Sequence, residues 1–408
     1  VSKLEVTRVL TINLTRKLTD EQRIILNHLT YSASKLWNVA NYEIIQDNIK
    51  LSELEKKLKD NFWYKNLHSQ SAQAVLQKLK VAWDNFFKQH TKRPRFQPKD
   101  GHFPVKWKKD GFKIIANKLR LSLSKQTRQY LKERHGIESK FLWVELSKAL
   151  PLDAMQVKEV EIVPHDIYGE RFYVLHLIYK KEVNPEMSKE DKVIMAIDLG
   201  VRNLATVVIE GEKQPLIFDG KILVSKLRWF AKETARIKSI IAEQGLKTCK
   251  RLARLTVKER NYVKDYVHKI SSWIIDLAKR KGVSRIIIGE LNKNITKIDI
   301  GDRVNQQLHR IPYGKLVKMI EYKAEELGIK VEQIDESYTS QKCSVCGVIK
   351  KSNRKYRGLY ICSNCGAVIN ADVNGARNIL FKVVPNPERG RDSGLGNPRR
   401  VSFKALLS

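Results

Sequence analysis

The first ninety residues change from an alternating to a helical pattern of hydrophobic positions. Apolar residues from Leu4 to Leu14 fall on one face of an extended chain, which predicts a strand. Thr19 and Gln22 have the spacing of a capping box, so we expect a helix to begin there and to run to about residue 48. Residues 51–90 carry two further helical stripes. We interpret the aromatic residues of these stripes as core positions rather than as surfaces that stack on nucleotides.

Strand signals dominate from about residue 103 to residue 183. Short β-branched or aromatic runs alternate with turn residues, which predicts a mostly antiparallel β unit. The opening strand could pair into this unit, and the helices of residues 19–90 would then form an insertion. The predicted strands are Phe112–Ile115, Leu119–Leu123, Phe141–Leu146, Val157–Val163 and Phe172–Tyr179.

From residue 193 onward, buried strands alternate with helices. Three strands precede long basic helices over residues 223–282, and a further strand ends at Glu290. A helix from Pro312, another strand and a final helix over Asn370–Phe381 follow. This order predicts an RNase H-like α/β fold. Residues 385–408 contain prolines, glycines and arginines without periodicity, so we expect a disordered tail.

The charge of the chain adds a partner to this picture, because 77 lysines and arginines stand against 44 acidic residues, a net charge of +33. A protein with this imbalance repels itself unless a polyanion is bound, and nucleic acid is the partner that we expect. A merely basic surface and an anionic membrane surface are the alternatives. The chain has no run of 18 apolar residues, so we expect no membrane span.

Two basic segments that contain aromatic residues are the candidate nucleic-acid contacts. Residues 92–96 are Lys-Arg-Pro-Arg-Phe, and residues 106–109 are Lys-Trp-Lys-Lys. Charge runs are usually solvated surface, but the aromatic residues and the net charge favour phosphate contact and base stacking here. The candidate side chains are Lys92, Arg93, Arg95, Lys106, Lys108 and Lys109.

Three acidic residues stand at corresponding places in the second half of the chain. Asp198 and Glu290 each end an apolar strand, and Asp372 opens the final helix. Any one of them alone is better explained as a strand terminus or a helix cap. In an RNase H-like sheet, however, all three would converge, and divalent cations would offset their repulsion. We therefore predict a catalytic site for phosphodiester hydrolysis, in which Asp198, Glu290 and Asp372 hold two Mg²⁺ ions.

Four of the five cysteines form two C-x-x-C pairs, Cys343 with Cys346 and Cys362 with Cys365. The 15-residue gap between the pairs is typical of a Cys₄ zinc ribbon, and iron–sulfur or redox use is the alternative. Four thiolate ligands would close the coordination sphere, so the zinc is expected to be structural. The remaining cysteine, Cys249, is interpreted as structural or incidental.

These motifs together resemble the TnpB family of IS200/IS605-type insertion sequences, the apparent ancestor of type V CRISPR effectors. The resemblance rests on the three acids, the paired cysteines, the segments Thr339–Cys343 and Asp372–Ile379, and a basic Arg93–Phe96 stretch. It implies that Asp198, Glu290 and Asp372 are the catalytic positions and that the four cysteines are zinc ligands. Many members carry Arg before the third acid, where this chain has Ala371.

The resemblance also implies an activity and a domain organisation. The expected function is RNA-guided cleavage of double-stranded DNA by a RuvC site, with two Mg²⁺ ions, a structural zinc and a guide RNA from the transposon end. A cytoplasmic monomer that reads a short adjacent DNA motif is expected. The expected domains are a β-barrel wedge domain (1–18 and 101–185), a helical recognition domain (19–100), the RuvC nuclease domain (186–342 and 366–384), the zinc ribbon (343–365) and the disordered tail (385–408).

Other functions use related parts. A miniature type V CRISPR effector would have the same activity in a different setting. A nuclease-silent relative would bind RNA and DNA as a repressor, against which the three acids argue. A transposase that catalyses strand transfer also uses an RNase H-like acid triad, but a zinc ribbon before the third acid speaks against it.

Overall fold

The computed structural model describes eleven ranges of the chain and divides them between two compact units. One unit is Glu5–Glu182, and the other comprises residues 183–408 with the first four residues. No helix among the described residues is long and apolar enough to cross a membrane. The described residues are 4–14, 18–46, 50, 53–146, 156–167, 170–183, 193–200, 203–290, 311–356, 358–384 and 397–402.

An open four-stranded sheet forms the β part of the first unit. Its order is β1 (Leu4–Asn13), β7 (Glu170–Val183), β6 (Val157–Ile167) and β2 (Val105–Trp107). The opening strand therefore pairs with a strand far along the chain, as the alternation predicted. The helices between β1 and β2 are the predicted insertion: α1 (Asp20–Gln46), α2 (Leu54–Leu58), α3 (Phe62–Lys65) and α4 (Ser69–Phe87).

The expected β-barrel is not observed in the described part of the first unit. After the three residues of β2, the chain turns at Lys109–Gly111 into a separate antiparallel sheet. The four-stranded sheet consequently ends at β1 and β2. Because β2 has only three residues, it offers few backbone hydrogen bonds to a further strand. The separate sheet contains β3 (Phe112–Ile115), β4 (Lys118–Ser122) and β5 (Phe141–Glu145).

Helix α5 (Lys125–His135) lies where only strands were expected. Its amino end is capped by Ser124, whose side chain accepts a hydrogen bond from the backbone N–H of Thr127. Its carboxyl end is closed by Gly136 at φ 65°, in the left-handed region that favours glycine. Thr127 and Leu131 are its buried residues, so the helix has almost no apolar stripe, and the caps were the available sequence signal.

A six-stranded sheet forms the centre of the second unit. Its order is β12–β11–β8–β9–β10–β16, in which β8 and β12 run parallel to β11, while β9 is antiparallel to β8 and β10. This agrees with the succession of strands and helices that the sequence predicted. The strands are β8 (Val193–Leu199), β9 (Asn203–Ile209), β10 (Leu216–Asp219), β11 (Val283–Glu290), β12 (Lys330–Asp335) and β16 (Arg399–Val401).

Helices cover both faces of this sheet, and neighbouring residues of one strand belong to the cores on opposite faces. Ile197 and Ile288 pack in one core with helices α6 (Lys221–Glu243), α7 (Lys250–Arg280) and α8 (Tyr313–Glu325). Their neighbours Ala196 and Ile287 pack in another core, against α9 (Ala371–Leu380). Successive residues of a strand point to opposite faces. These two cores therefore define the side to which each residue of β8 and β11 points.

The tail contains an ordered strand, contrary to the expectation that all of residues 385–408 are disordered. Residues Arg399–Val401 form β16, which pairs in parallel with the edge of β10. Val401 is 4% exposed and joins the core of the α6–α8 face. The pairing satisfies the β10 edge, which no local periodicity in the tail could have indicated. Residues 385–396 and 403–408 lie outside the described residues.

We predict that Trp107 is a core residue and not a surface that stacks on nucleotides. Its side chain is 1% exposed and donates from Nε1 to the carbonyl of Ser122 at 3.1 Å. Trp107→Ala should lower the free energy of unfolding by about 3–5 kcal/mol. Phe96→Ala is the control, because Phe96 is 51% exposed and the change should stay within about 0.5 kcal/mol. Urea denaturation measures both; equal effects would contradict the assignment.

Candidate functional site

Asp198 lies at the carboxyl end of the central strand, on the face that α9 covers. Ile197 is in register with Ile288, and the next residue of each strand is Asp198 on β8 and Gly289 on β11. Asp198 alternates with Ile197 and therefore shares the face of Ala196 and α9. The residues of β8 before Asp198 are buried. The Asp198 carboxylate therefore lies at the edge of the core, where it faces the site.

Helix α9 approaches Asp198 through a glycine. A Cβ added at Gly375 would lie 2.6 Å from Oδ2 of Asp198, closer than side-chain atoms approach each other. The absent side chain at this position thus provides the space for the carboxylate. A side chain at this position would require the Asp198 carboxylate to shift.

Asp372 is brought to the same place by the first turn of α9. The side chain of Asn370 caps the helix, accepting from the backbone N–H groups of Asp372 and Val373 at 3.1 and 3.3 Å. Asn203 donates from Nδ2 to Oδ2 of Asp372 at 2.6 Å, and Nη2 of Arg354 lies 3.8 Å from Oδ1. The carboxylate is therefore oriented by β9 and by the ribbon segment at once.

A third carboxylate near Asp198 is that of Glu336, which the sequence reasoning did not select. Its side chain occupies the space over Gly289, where an added Cβ would overlap Oε1 and lie 2.7 Å from Cδ and Cγ. Oε1 is buried and has no hydrogen-bond donor among the residues that the structure describes. The signals that could have identified Glu336 are its place directly after β12 and the glycine at the end of the neighbouring apolar strand.

The electrostatics of the site show that its negative charges are close enough to affect one another. Burial raises the pKa of Asp198 well above its usual value, and the charges of Glu336 and Asp372 raise it further, whereas Arg354 lowers it. Burial also raises the pKa of Glu336 to about 7, with a contribution from Asp335. Oxygen donors that repel one another in this way fit a hard divalent cation, which would favour their charged forms.

Glu290 is the last residue of β11 and is in register with Asp335 of β12. The structure brings Asp198 and Asp372 together with Glu336. The catalytic assignment of all three sequence-predicted acids remains a prediction.

The four paired cysteines converge as the zinc-ribbon spacing predicted. Their sulfur atoms all lie within 4.8 Å of one another. Each pair lies on a similar turn, in which the N–H of Gly347 or Gly366 donates to the carbonyl of the first cysteine at 2.9 Å. Both glycines have positive φ, 81° and 68°. The donor set fits one tetrahedral Zn²⁺ ion.

Two asparagines of α9 join the cysteine cluster to the carboxylates. Asn374 accepts from the backbone N–H of Ser344 at 2.9 Å and donates to the carbonyl of Lys342 at 2.8 Å. Asn378 donates to the carbonyls of Lys342 and Thr339 at 2.7 and 2.9 Å. The segment between Glu336 and the first cysteine is therefore fixed to the helix that carries Asp372. The sequence reasoning assigned no role to either asparagine.

The candidate nucleic-acid residues of the first unit fall into two groups. Lys92, Arg93 and Arg95 are exposed on an extended segment whose backbone is held by α1 through hydrogen bonds from Trp37, Asn38 and Asn41 to the carbonyls of Arg95, Gln97 and Pro94. Lys109 is also exposed. In the other group, Lys106 pairs with Glu159 at 2.7 Å and Lys108 donates to Gln77 at 3.2 Å.

Two family models match separate parts of the chain. Residues 176–295 match the model described as a probable transposase, OrfB_IS605, and residues 313–379 match the model of the Cas12f1-like TNB domain. The first range covers β8, and the second contains Glu336, the four cysteines and Asp372.

Curated relatives carry two kinds of name. The chain is 33% identical over 246 residues to the CRISPR-associated endodeoxyribonuclease Cas12f1 of Sulfoacidibacillus thermotolerans, which covers 57% of this chain and 54% of the relative. It is 27% identical over 400 residues to the TnpB-like protein ORF457 of Acidianus two-tailed virus, covering 88% and 83%. It is 23% identical over 341 residues to the putative RNA-guided DNA endonuclease InsQ of Escherichia coli, covering 80% and 77%.

A solved structure shares the fold. The Cas12f1–sgRNA–target DNA complex superposes with a TM-score of 0.62 at 18% identity, covering 88% of this chain and 83% of that one. The chain therefore has the fold of that Cas12 effector. The transposase model and the TnpB-like relatives confirm the resemblance to the TnpB family.

We predict that the four-cysteine cluster holds one structural zinc ion. Cys346→Ser should abolish bound zinc, measured by elemental analysis of the purified protein, and should lower the Tm, because metal binding contributes directly to folding. Cys249→Ser is the matched control: Cys249 caps α7 by accepting from the N–H of Leu252 at 3.4 Å, and serine can replace it. Full zinc content and an unchanged Tm in Cys346→Ser would refute the prediction.

Proposed function

We propose that this protein is an RNA-guided DNA endonuclease of a transposable element, with an RNase H-like RuvC site in its second unit. The observation that carries the proposal is the meeting of Asp198 and Asp372 where β8 ends against α9. The relatives named as RNA-guided endonuclease and endodeoxyribonuclease support it. The match to the endodeoxyribonuclease Cas12f1 spans about half of that relative's length, so the activity of the whole protein is part of the proposal.

Bound Mg²⁺ would supply an activated water and would stabilise the leaving oxygen of the phosphodiester. Asp198 and Asp372 would hold the ions. Asn203 orients the Asp372 carboxylate through its hydrogen bond, and Arg400 donates to Oδ1 of Asn203 at 3.2 Å, which fixes the amide. Arg354 places a positive charge beside the same carboxylate, where it could also contact a phosphate of the bound strand.

The charge distribution fits a protein whose sequence specificity comes from a guide RNA. Helices α6 and α7 of the second unit carry rows of lysines and arginines on their exposed faces, and residues 92–95 form an exposed basic segment in the first unit. Such surfaces bind a nucleic-acid backbone without reading its bases. Base pairing with a guide would then supply the selection of target DNA.

A miniature type V CRISPR effector is the second candidate, because the chain is 33% identical to a Cas12f1 endodeoxyribonuclease over 246 residues. Both candidates have the same chemistry, and the origin of the bound RNA separates them. Sequencing the RNA that copurifies with the protein should give a transposon-end transcript. A repeat-derived CRISPR RNA would select the effector instead.

We predict that Asp198→Asn abolishes cleavage of a guide-matched plasmid and leaves RNA binding intact. The loss should exceed about 100-fold, since changes outside the direct metal ligands already cost about 10–100-fold. Asp276→Asn is the control, because Asp276 is an exposed acid that pairs with Arg280 at 3.2 Å. EDTA should stop cleavage by the native protein, and Mg²⁺ should restore it.

Two outcomes would count against the proposal. Cleavage by Asp198→Asn at the native rate would show that the carboxylate takes no part in the reaction. A native protein that binds guide and target but does not cut with Mg²⁺ would be an RNA-guided binding protein, which is the repressor function.

A further inference from the structure

We propose that strand β16 of the tail contributes to the nuclease site, and that its Arg400 is a positioning residue for Asp372. Arg400 acts through Asn203, whose amide binds the Asp372 carboxylate. The inference rests on the proposed nuclease function and adds to that site a residue from a part of the chain in which the sequence gave no structural signal. The role of Arg400 is to hold one amide in one orientation.

The first support is the side of the sheet to which Arg400 points. Val401 pairs with Phe218 of β10 and is buried with it in the core of the α6–α8 face. Arg400 precedes Val401 on the strand and therefore points to the opposite face. It pairs there with Ile217, which packs in the core formed by the ribbon cysteines and α9. This is the face on which Asp372 opens α9.

The second support is a continuous chain of hydrogen bonds from the tail to the carboxylate. Nη1 of Arg400 donates to Oδ1 of Asn203 at 3.2 Å, and Nδ2 of Asn203 donates to Oδ2 of Asp372 at 2.6 Å. Asn203 is 8% exposed, so water competes little for these contacts. An amide has an oxygen end that accepts and a nitrogen end that donates, so the two contacts fit only one of its orientations.

The orientation of the Asn203 amide matters because its two ends act oppositely on Asp372. The nitrogen end donates to the carboxylate, whereas the oxygen end would place two acceptors against each other with no proton between them. Arginine has donors and no acceptor, so Arg400 binds only the oxygen end. The guanidinium therefore selects the orientation in which the amide supports the carboxylate. Without this donor the amide can turn, and Asp372 loses a fixed partner.

The backbone of β16 holds Arg400 in this position. The N–H of Arg399 donates to the carbonyl of Pro215 at 2.9 Å, and the three residues of the strand pair in parallel with β10. So short a strand has few backbone hydrogen bonds, and the burial of Val401, which is 4% exposed, adds apolar contact to them. The docked tail thus presents the guanidinium to Asn203 from a fixed edge of the sheet.

Arg399 is a matched control for Arg400. The two residues are neighbours, carry the same charge and are both exposed. Their side chains point to opposite faces of the sheet, because they are adjacent on one strand. Arg399→Met and Arg400→Met therefore remove the same charge from the same strand, but only Arg400→Met removes the donor to Asn203.

The first experiment compares these two variants in the full-length protein. Isothermal titration calorimetry measures Mn²⁺ binding, and single-turnover cleavage of a guide-matched plasmid by the complex with copurified RNA measures the reaction. Arg400→Met should weaken Mn²⁺ binding and slow cleavage, each by about tenfold, because it releases a group that orients a metal ligand. Its affinity for the plasmid should stay native. Arg399→Met should match the native protein in all three measurements.

The second experiment is a double-mutant cycle between Arg400 and Asn203. Asn203→Ala removes the amide and should weaken Mn²⁺ binding by at least as much as Arg400→Met does. In the Asn203→Ala background there is no amide to orient, so adding Arg400→Met should change Mn²⁺ affinity and cleavage rate by less than about twofold. Zinc content and Tm establish that each variant is folded. Because Arg400 is exposed, the comparison with Arg399→Met tests the proposal even if Asn203→Ala does not fold.

Three results would overturn the inference while the nuclease proposal stands. Equal losses in Arg399→Met and Arg400→Met would show that the charge of the strand, and not the contact with Asn203, is responsible. Losses that multiply in the double variant would show that Arg400 acts independently of the amide. A weaker plasmid affinity with native Mn²⁺ affinity in Arg400→Met would make Arg400 a phosphate contact.

Failure of the proposed function has a different signature. A native complex that binds the guide-matched plasmid and does not cut it with Mg²⁺ would refute the nuclease activity. The Mn²⁺ affinities of Arg399→Met, Arg400→Met and the double variant would then still decide whether Arg400 positions Asp372.

Discussion

The close approach of α9 to the end of β8 is the contact on which the rest of the site depends. At this contact Gly375 has no side chain, and an added Cβ would lie 2.6 Å from Oδ2 of Asp198. The approach brings Asp372, in the first turn of the helix, to the carboxylate at the strand end. It also confines negative charge, so the pKa of Asp198 rises through burial and through its acidic neighbours. Folding thus brings negative charges close together, and a bound cation would offset their repulsion. Burial in the sheet core supplies the folding free energy that outweighs this repulsion.

Much of this arrangement could be predicted from the sequence. The apolar runs before Asp198 and Glu290 gave the buried parallel strands, and the cysteine spacing gave the cluster that the structure brings together. These signals are local, because a buried strand and a cysteine turn can each be recognised from a few consecutive residues. The order of elements then determined which strand ends lie at the same edge of the sheet.

What the sequence did not reveal depends on contacts between distant residues. Glu336 and Gly289 are informative only as a pair, and strand register decides that they meet. The pairing of β16 with β10 joins residues that are far apart in the chain and has no periodic signature. Acids at strand ends can therefore be recognised from the sequence, but the residues that they meet cannot.

Helix α9 connects the cysteine cluster to the carboxylate site. Asp372 and Gly375 face the strand ends, while Asn374 and Asn378 bind the segment that leads from Glu336 to the first cysteine. Helical spacing places these pairs on different sides of one short helix, which is why the helix is almost entirely buried. If the cysteines hold a zinc ion, the same helix would connect that ion to the carboxylates, because Asn374 and Asn378 bind the segment that leads to Cys343.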